Sequence, residues 1–380
     1  MATLFPHSDS FSFFFVTFIS LAVLSHRHPS ATAAAGCQAP PVIFNFGDSN
    51  SDTGGLVAGL GYLVGLPNGR LFFRRSTGRL CDGRLLIDFL CQSLNTSLLR
   101  PYLDSLGESK FQNGANFAIV GSTTLPRNVP FSLNIQLMQF LHFKSRSLEL
   151  ASTSNPSKGM FISESGFRNA LYMIDIGQND IARSFSLGNS YSQTVKLIPQ
   201  FISEIKTSIK FCDLYRLYDE GGRRFWIHNT GPLGCLPQKL SMAQRKDLDQ
   251  HGCLASYNAA AKLFNQMLDH MCEKLRIELR DATIIYIDIY AIKYSLIANS
   301  KGYGFERPLM ACCGYGGSPY NYNSKITCSH RGANVCDKGS RFVSWDGIHY
   351  TETANAIVAM KVLSMQYSKP KAPFDFFCRR

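Results

Sequence analysis

Four short apolar runs, three of them closed by a turn signal, constrain this chain more than any other feature. Pro41–Phe46 (PVIFNF) stops at Gly47, and Leu171–Ile176 (LYMIDI) stops at Gly177. Arg224–His228 (RFWIH) runs into Asn229-Thr230-Gly231-Pro232, and Thr283–Ile289 (TIIYIDI) makes the fourth. Runs this short and this apolar suit strands buried on both faces. Between the last two, Leu254, Tyr257, Ala261, Phe264, Leu268, Met271 and Leu275 recur at helical spacing, the pattern of core contacts on one helix face. A second amphipathic stretch covers Val195–Tyr218. Strand, helix and strand in succession imply parallel pairing through right-handed crossovers. The expected fold class is therefore α/β, a three-layer α/β/α sandwich around a mainly parallel sheet.

With 380 residues, 45% hydrophobic and 17% charged, the chain has the apolar material for a large core, which excludes wholesale disorder. No fixed-period repeat is present, and no Pro/Gly-rich or charged linker follows residue 36, so 36–380 is expected to be a single domain. The only long apolar stretch, Phe11–Ser25, is N-terminal, which excludes a polytopic membrane protein. That stretch is short for a membrane span, and Ala31-Thr32-Ala33-Ala34-Ala35 follows it in the style signal peptidase accepts. Residues 1–35 are expected to be a secretory signal, making the mature protein extracellular; the rival, an uncleaved anchor, calls for a longer run.

Twelve cysteines follow Ala35, and an even count in an exported chain favours disulfides. The best bridge candidates are Cys235 with Cys253, and the group Cys312, Cys313, Cys328 and Cys336, whose connectivity spacing does not fix. No C-x-x-C pair occurs and no His lies at zinc-finger spacing from a Cys, so no metal is expected. Asn95-Thr96-Ser97 is the one glycosylation sequon. The formal net charge is +12, densest at Arg70, Arg74, Arg75, Arg79 and Arg84, with Phe72 and Phe73 among them and Asp82 and Asp88 close by. A solvated, partly neutralised face is the expectation, ahead of contact with anionic polysaccharide or a lipid surface. Nucleic acid is not an expected partner of an exported chain.

In open parallel sheets function gathers at the carboxyl ends of the strands. The first run leads directly into Gly47-Asp48-Ser49-Asn50-Ser51-Asp52-Thr53-Gly54-Gly55, where Ser49 could present its hydroxyl and the glycines admit close backbone N–H groups. Asp346 and His349 form an Asp-x-x-His unit in which the carboxylate can accept from Nδ1–H, leaving Nε2 as base. Asn179, after the second run, could donate its side-chain N–H to an oxyanion, and Gly121 a backbone N–H. Taken singly, each of these is an ordinary turn residue.

Together and in this order, the segments resemble the GDSL esterase/lipase family of the SGNH hydrolase superfamily, and its plant secreted branch in particular. FNFGDSNSDTGG is similar to the first family block, NGANFAIVGST to the second, IGQNDI to the third and WDGIHYTE to the last. TGRLCDGRLLIDF, GPLGCLP and ACCGYGG also resemble the branch. Asn50 stands where the family name has Leu, and Val120 where Gly or Ala is frequent. The resemblance implies a flavodoxin-like sandwich and ester hydrolysis without metal or cofactor. It implies Ser49 as nucleophile, Asp346 and His349 as its partners, and Ser49, Gly121 and Asn179 as oxyanion donors. The substrates implied are acyl lipids, short-chain esters or acetylated glycans.

The common α/β-hydrolase alternative expects G-x-S-x-G, which is absent, as is G-x-x-x-x-G-K-[ST]; Gly59, Gly61 and Gly65 miss dinucleotide spacing. Two rival classes stay open: a glycan-binding protein without chemistry, and a glycosidase drawing paired carboxylates from Asp48, Asp52 and Asp180.

Overall fold

The computed structural model describes Cys37 and residues 39–378, apart from 106–110, 127–128, 154–160, 211–215 and 244–246. The expected signal segment lies outside the described residues. Strands β1 (Ile43–Gly47), β2 (Gly114–Asn116), β3 (Leu171–Asp175), β4 (Arg224–His228) and β5 (Thr283–Ile287) pair in parallel in the order β2-β1-β3-β4-β5. A small antiparallel ribbon joins β6 (Cys313–Gly314) to β7 (Asn334–Val335), and β8 (Ser368–Lys369) closes the main sheet antiparallel to β5. The helices are α1 (Gly55–Leu60), α2 (Leu86–Ser93), α3 (Leu133–Thr153), α4 (Glu164–Arg168), α5 (Gln178–Ser186), α6 (Tyr191–Val195), α7 (Ile198–Ile209), α8 (Pro237–Met242), α9 (Ala255–Glu278), α10 (Ile289–Ala298) and α11 (Glu352–Leu363).

Strand side chains alternate between two cores, as the pleat requires. Phe44, Phe46, Tyr172, Ile174, Phe225, Ile227, Ile284 and Tyr286 pack with α3, α5, α7 and α9. Ile43, Leu171, Met173, Trp226, Ile285 and Ile287 pack with α2, α10 and α11. The three layers anticipated from sequence are present. The run Thr283–Ile289 stops early as a strand because the Asp288 carboxylate accepts from Ala291 N at 3.0 Å and caps α10. Within the stretch Val195–Tyr218 lies α7, with Pro199 in its first turn.

Among the described residues there are four cystines: Cys235–Cys253, Cys312–Cys336, Cys313–Cys328 and Cys37–Cys378. All six candidate cysteines are bridged. The even count nevertheless overstates the pairing, since Cys81, Cys91 and Cys272 are buried thiols. Cys212 lies outside the described residues. Asn95 of the sequon is exposed.

The basic cluster is mostly internal. Arg79 is buried and forks onto Asp88, with Nε–Oδ2 at 2.8 Å and Nη2–Oδ1 at 2.7 Å. Arg84 pairs with Glu352 at 2.6 Å between the rings of Phe72 and Phe89. Arg70 lies over Trp345 and donates to Cys336 O. Only Arg74 and Arg75 of the five are exposed.

Cys37–Cys378 joins positions 341 residues apart and closes the longest loop. Replacing Cys378 by Ser is expected to cost about 2–5 kcal/mol in urea unfolding. An unchanged unfolding midpoint would contradict that role.

Candidate active site

At the end of β1 the chain turns within touching distance of β3. A Cβ on Gly47 would stand 2.5 Å from Asp175 O, so only glycine fits there. Gln136 of α3 brackets the same peptide, accepting from Gly47 N at 2.9 Å and donating to Gly47 O at 2.8 Å. The turn after it is set by Asp48, whose Oδ1 accepts from both the backbone and side-chain nitrogens of Asn50 at 2.9 Å. Ser49 follows Asp48 in this turn, only 4% exposed.

Asp52 fastens this turn to the next segment. Its carboxylate accepts from Gly54 N at 2.7 Å, from Gly55 N and Leu56 N at the start of α1, and from Val120 N at 2.9 Å. Gly121 follows with φ +80°, and nothing lies within 4 Å of where its Cβ would be. Neither the Ser49 N–H nor the Gly121 N–H is bonded to a described residue. Asn179, in the first turn of α5, donates from Nδ2 to Ser122 O at 2.9 Å and, at 3.5 Å, to Asp48 Oδ2. The first, second and third segments are thereby joined by hydrogen bonds.

In the fourth, His349 Nδ1 and Asp346 Oδ2 are 2.6 Å apart, and Asp346 Oδ1 accepts from Ile348 N at 3.0 Å and His349 N at 2.8 Å. Burial alone would raise the Asp346 carboxyl; the His349 charge and these hydrogen bonds outweigh it and hold it below its ordinary value. Gly347 has φ +95°, and a Cβ there would meet the Tyr322 ring at 2.5 Å. His349 is 5% exposed, and its Nε2 is buried with no hydrogen-bond partner. An imidazole held this way can take a proton at Nε2 and be stabilised as it does so.

Lys293 of α10 joins the first and fourth segments, since its ammonium donates to Asn50 Oδ1 at 3.3 Å and lies 4.3 Å from the Tyr350 ring centre. Those are the neighbours of Ser49 and His349 in sequence. Behind Lys293 lie Asp48, Asp175 and His228, all buried. Burial raises both carboxyls, and Lys293 opposes the rise. His228 is pushed down to about 3 by burial and the Lys293 charge, and neither ring nitrogen has a partner, so it is neutral at ordinary pH. Sequence reading did not single out Asp175, Lys293, His228 or Gln136. For Asp52 a signal was present, the Asx-turn character of Asp-Thr-Gly-Gly.

A cleft of about 320 Å³ opens beside these segments, lined by Gly121, Asn179 and Ile348 among others. Gly121 brings an unbonded N–H to this lining, and Ile348 stands next in sequence to His349, whose buried Nε2 is unbonded; with the unbonded Ser49 N–H, these groups are the equipment of acyl transfer. The carboxylates that a glycosidase would use are engaged elsewhere. Asp52 serves four backbone N–H groups, and Asp180 accepts from Thr124 N at 3.0 Å and Thr124 Oγ1 at 2.8 Å.

Fold and site together define an α/β hydrolytic protein of the acyl-transfer kind. Residues 43–362 match the family model for the GDSL-like lipase/acylhydrolase, and the chain belongs to that family of carboxylic ester hydrolases. It is 81% identical to GDSL esterase/lipase LIP-4 of Arabidopsis thaliana and 74% identical to a second GDSL esterase/lipase of that plant, covering 100% of both chains in each case. A third Arabidopsis relative, 41% identical over 90% of this chain and 95% of its own, is named alpha-L-fucosidase 3.

Burial pushes the Asp180 carboxyl up to about 6 despite the Thr124 bonds. Its ionised form is disfavoured in the fold, so this group's contribution to stability is present below pH of about 4 and is lost as pH rises through about 6. In Asp180→Asn that dependence is absent. The melting-temperature difference, wild type minus variant, is expected to fall between those limits, and a flat difference would contradict it.

Proposed function

We propose that this protein is an exported serine esterase acting through Ser49, His349 and Asp346. The observation that carries the reading is the 2.6 Å Asp346–His349 contact, which leaves a buried Nε2 without a partner. Ser49 Oγ attacks the acyl carbon and His349 Nε2 takes its proton. The oxygen charge falls among the N–H groups of Ser49 and Gly121 and the Asn179 amide, and His349 protonates the leaving alcohol. Water then repeats the cycle on the acyl-enzyme. The substrates are acyl lipids, short-chain esters or acetylated glycans.

Four cystines and the expected leader support an extracellular site of action, and among the described residues no helix is long and apolar enough to cross a membrane. Asn95 is proposed to carry a glycan there. Exposed Arg74 and Arg75 are what the basic cluster offers to an anionic polysaccharide or lipid surface.

A fluorophosphonate probe is expected to label the wild type and not Ser49→Ala, with turnover of 4-nitrophenyl esters falling at least about 10⁴-fold in the variant. Asn179→Ala is expected to lose about 10²–10³ in kcat. Unlabelled, folded wild type would overturn the serine mechanism. Because one relative is named as a fucosidase, an aryl α-L-fucoside belongs in the same assay. Its turnover surviving Ser49→Ala would assign the site to carboxylate chemistry instead.

A further inference from the structure

Three lysines are buried among the described residues: Lys144, Lys239 and Lys293. Two have counter-charges. Lys144 pairs with Glu164 at 3.3 Å and Glu220 at 3.0 Å, and Lys293 lies in the field of Asp175 and Asp48. Lys239, 8% exposed, differs. Its ammonium makes one long hydrogen bond, 3.3 Å to Ser186 Oγ, and no ion pair with a described residue. Burial lowers its pKa, and no neighbouring carboxylate opposes that shift.

Lys239 also lines the cleft that holds Gly121, Asn179 and Ile348. Arg183, exposed, is the second cation of that lining, and no Asp or Glu belongs to it. An ammonium taken out of water without a counterion destabilises the fold, and an anion arriving with a ligand removes the penalty. The cleft is thus charged for a guest that brings the missing negative group, with two amides, Gln178 and Gln238, as further donors.

We infer that Lys239 anchors a carboxylate carried by the substrate, so that the preferred ester bears a negative charge on its acyl or its alcohol part. This rests on the esterase reading above and adds the substrate class. A charge-assisted bond from a buried ammonium is worth about tenfold to a hundredfold in discrimination.

The test compares kcat/KM on matched pairs with the full chain. For the acyl part the pair is mono-4-nitrophenyl adipate against 4-nitrophenyl hexanoate; for the alcohol part it is O-acetylated galacturonic acid against O-acetylated galactose. The wild type is expected to prefer the anionic member of one pair by about tenfold or more, and which pair does so identifies the source of the charge. Lys239→Met is expected to collapse that ratio toward unity, and Lys239→Arg to keep most of it. The ratio is read within one preparation, so altered stability does not move it. If Lys239→Met does not fold, the wild-type pairs and Lys239→Arg decide. Equal turnover within both pairs, a preference that survives Lys239→Met, or its loss in folded Lys239→Arg overturns the assignment while leaving the esterase reading intact. No fluorophosphonate labelling and no turnover of any of these esters would remove the esterase reading and this one with it.

Discussion

One buried carboxylate, Asp52, holds the turn after β1 and the segment after β2 in register at the carboxyl end of the sheet. Its oxygens collect N–H groups from the turn that leads into α1 and from Val120 on the far side of β2. Taking a carboxylate out of water is costly, and burial does push this one's pKa up, but four backbone donors supply what water would have. Amide side chains extend the clamp. Asn116 donates to Ser51 O at 2.7 Å and Thr53 Oγ1 at 2.9 Å while accepting from Asn45 Nδ2, and Gln136 brackets Gly47. Removing Asp52 would leave those backbone donors unsatisfied and free Val120, and with it Gly121, to drift from the Ser49 turn. The geometry of acyl transfer tolerates little such drift.

How much of this the sequence disclosed depended on whether a feature is local. Four of the five parallel strands declared themselves, because a strand buried on both faces needs a continuous apolar run. β2 did not, since Gly114-Ala115-Asn116 is three residues made a strand by its neighbour β1. The same holds for β8, two residues paired with β5, and for Cys37–Cys378, which depends on where the two ends of the fold meet. Residues of the four blocks lie next to strand ends and glycines, where sequence gives an address. Lys293 was invisible because it sits mid-helix among Tyr290, Ile292 and Leu296, where only the tertiary fold aims it at Asn50 and Tyr350.

The charges behind Ser49 run against the usual rule that such cores favour apolar residues. Asp48, Asp175 and Lys293 give two acids and one base in a space with little water, and burial raises both acids. Lys293 is what makes the arrangement tolerable, and the same ammonium touches the residues beside Ser49 and His349. A hydrophobic residue at 293 would remove the cost of burying the cation but also a restraint between the two turns and the counter-charge for both acids. The unbonded nitrogens of neutral His228 mark how far polarity has been carried into this layer.

Net charge proves a poor guide to partners in such a molecule. A formal +12 suggests polyanions, yet Arg70, Arg79 and Arg84 are committed to Cys336 O, Asp88 and Glu352 inside the fold. A cation already matched by a structural acid has little field left for a ligand, however dense the cluster appears in sequence. What matters is charge that is both desolvated and unmatched, because its interaction is neither screened by water nor already satisfied. By that criterion Arg74 and Arg75, exposed to solvent, have a screened field, whereas Lys239, buried in the lining of the cleft, stands without an acid among the described residues.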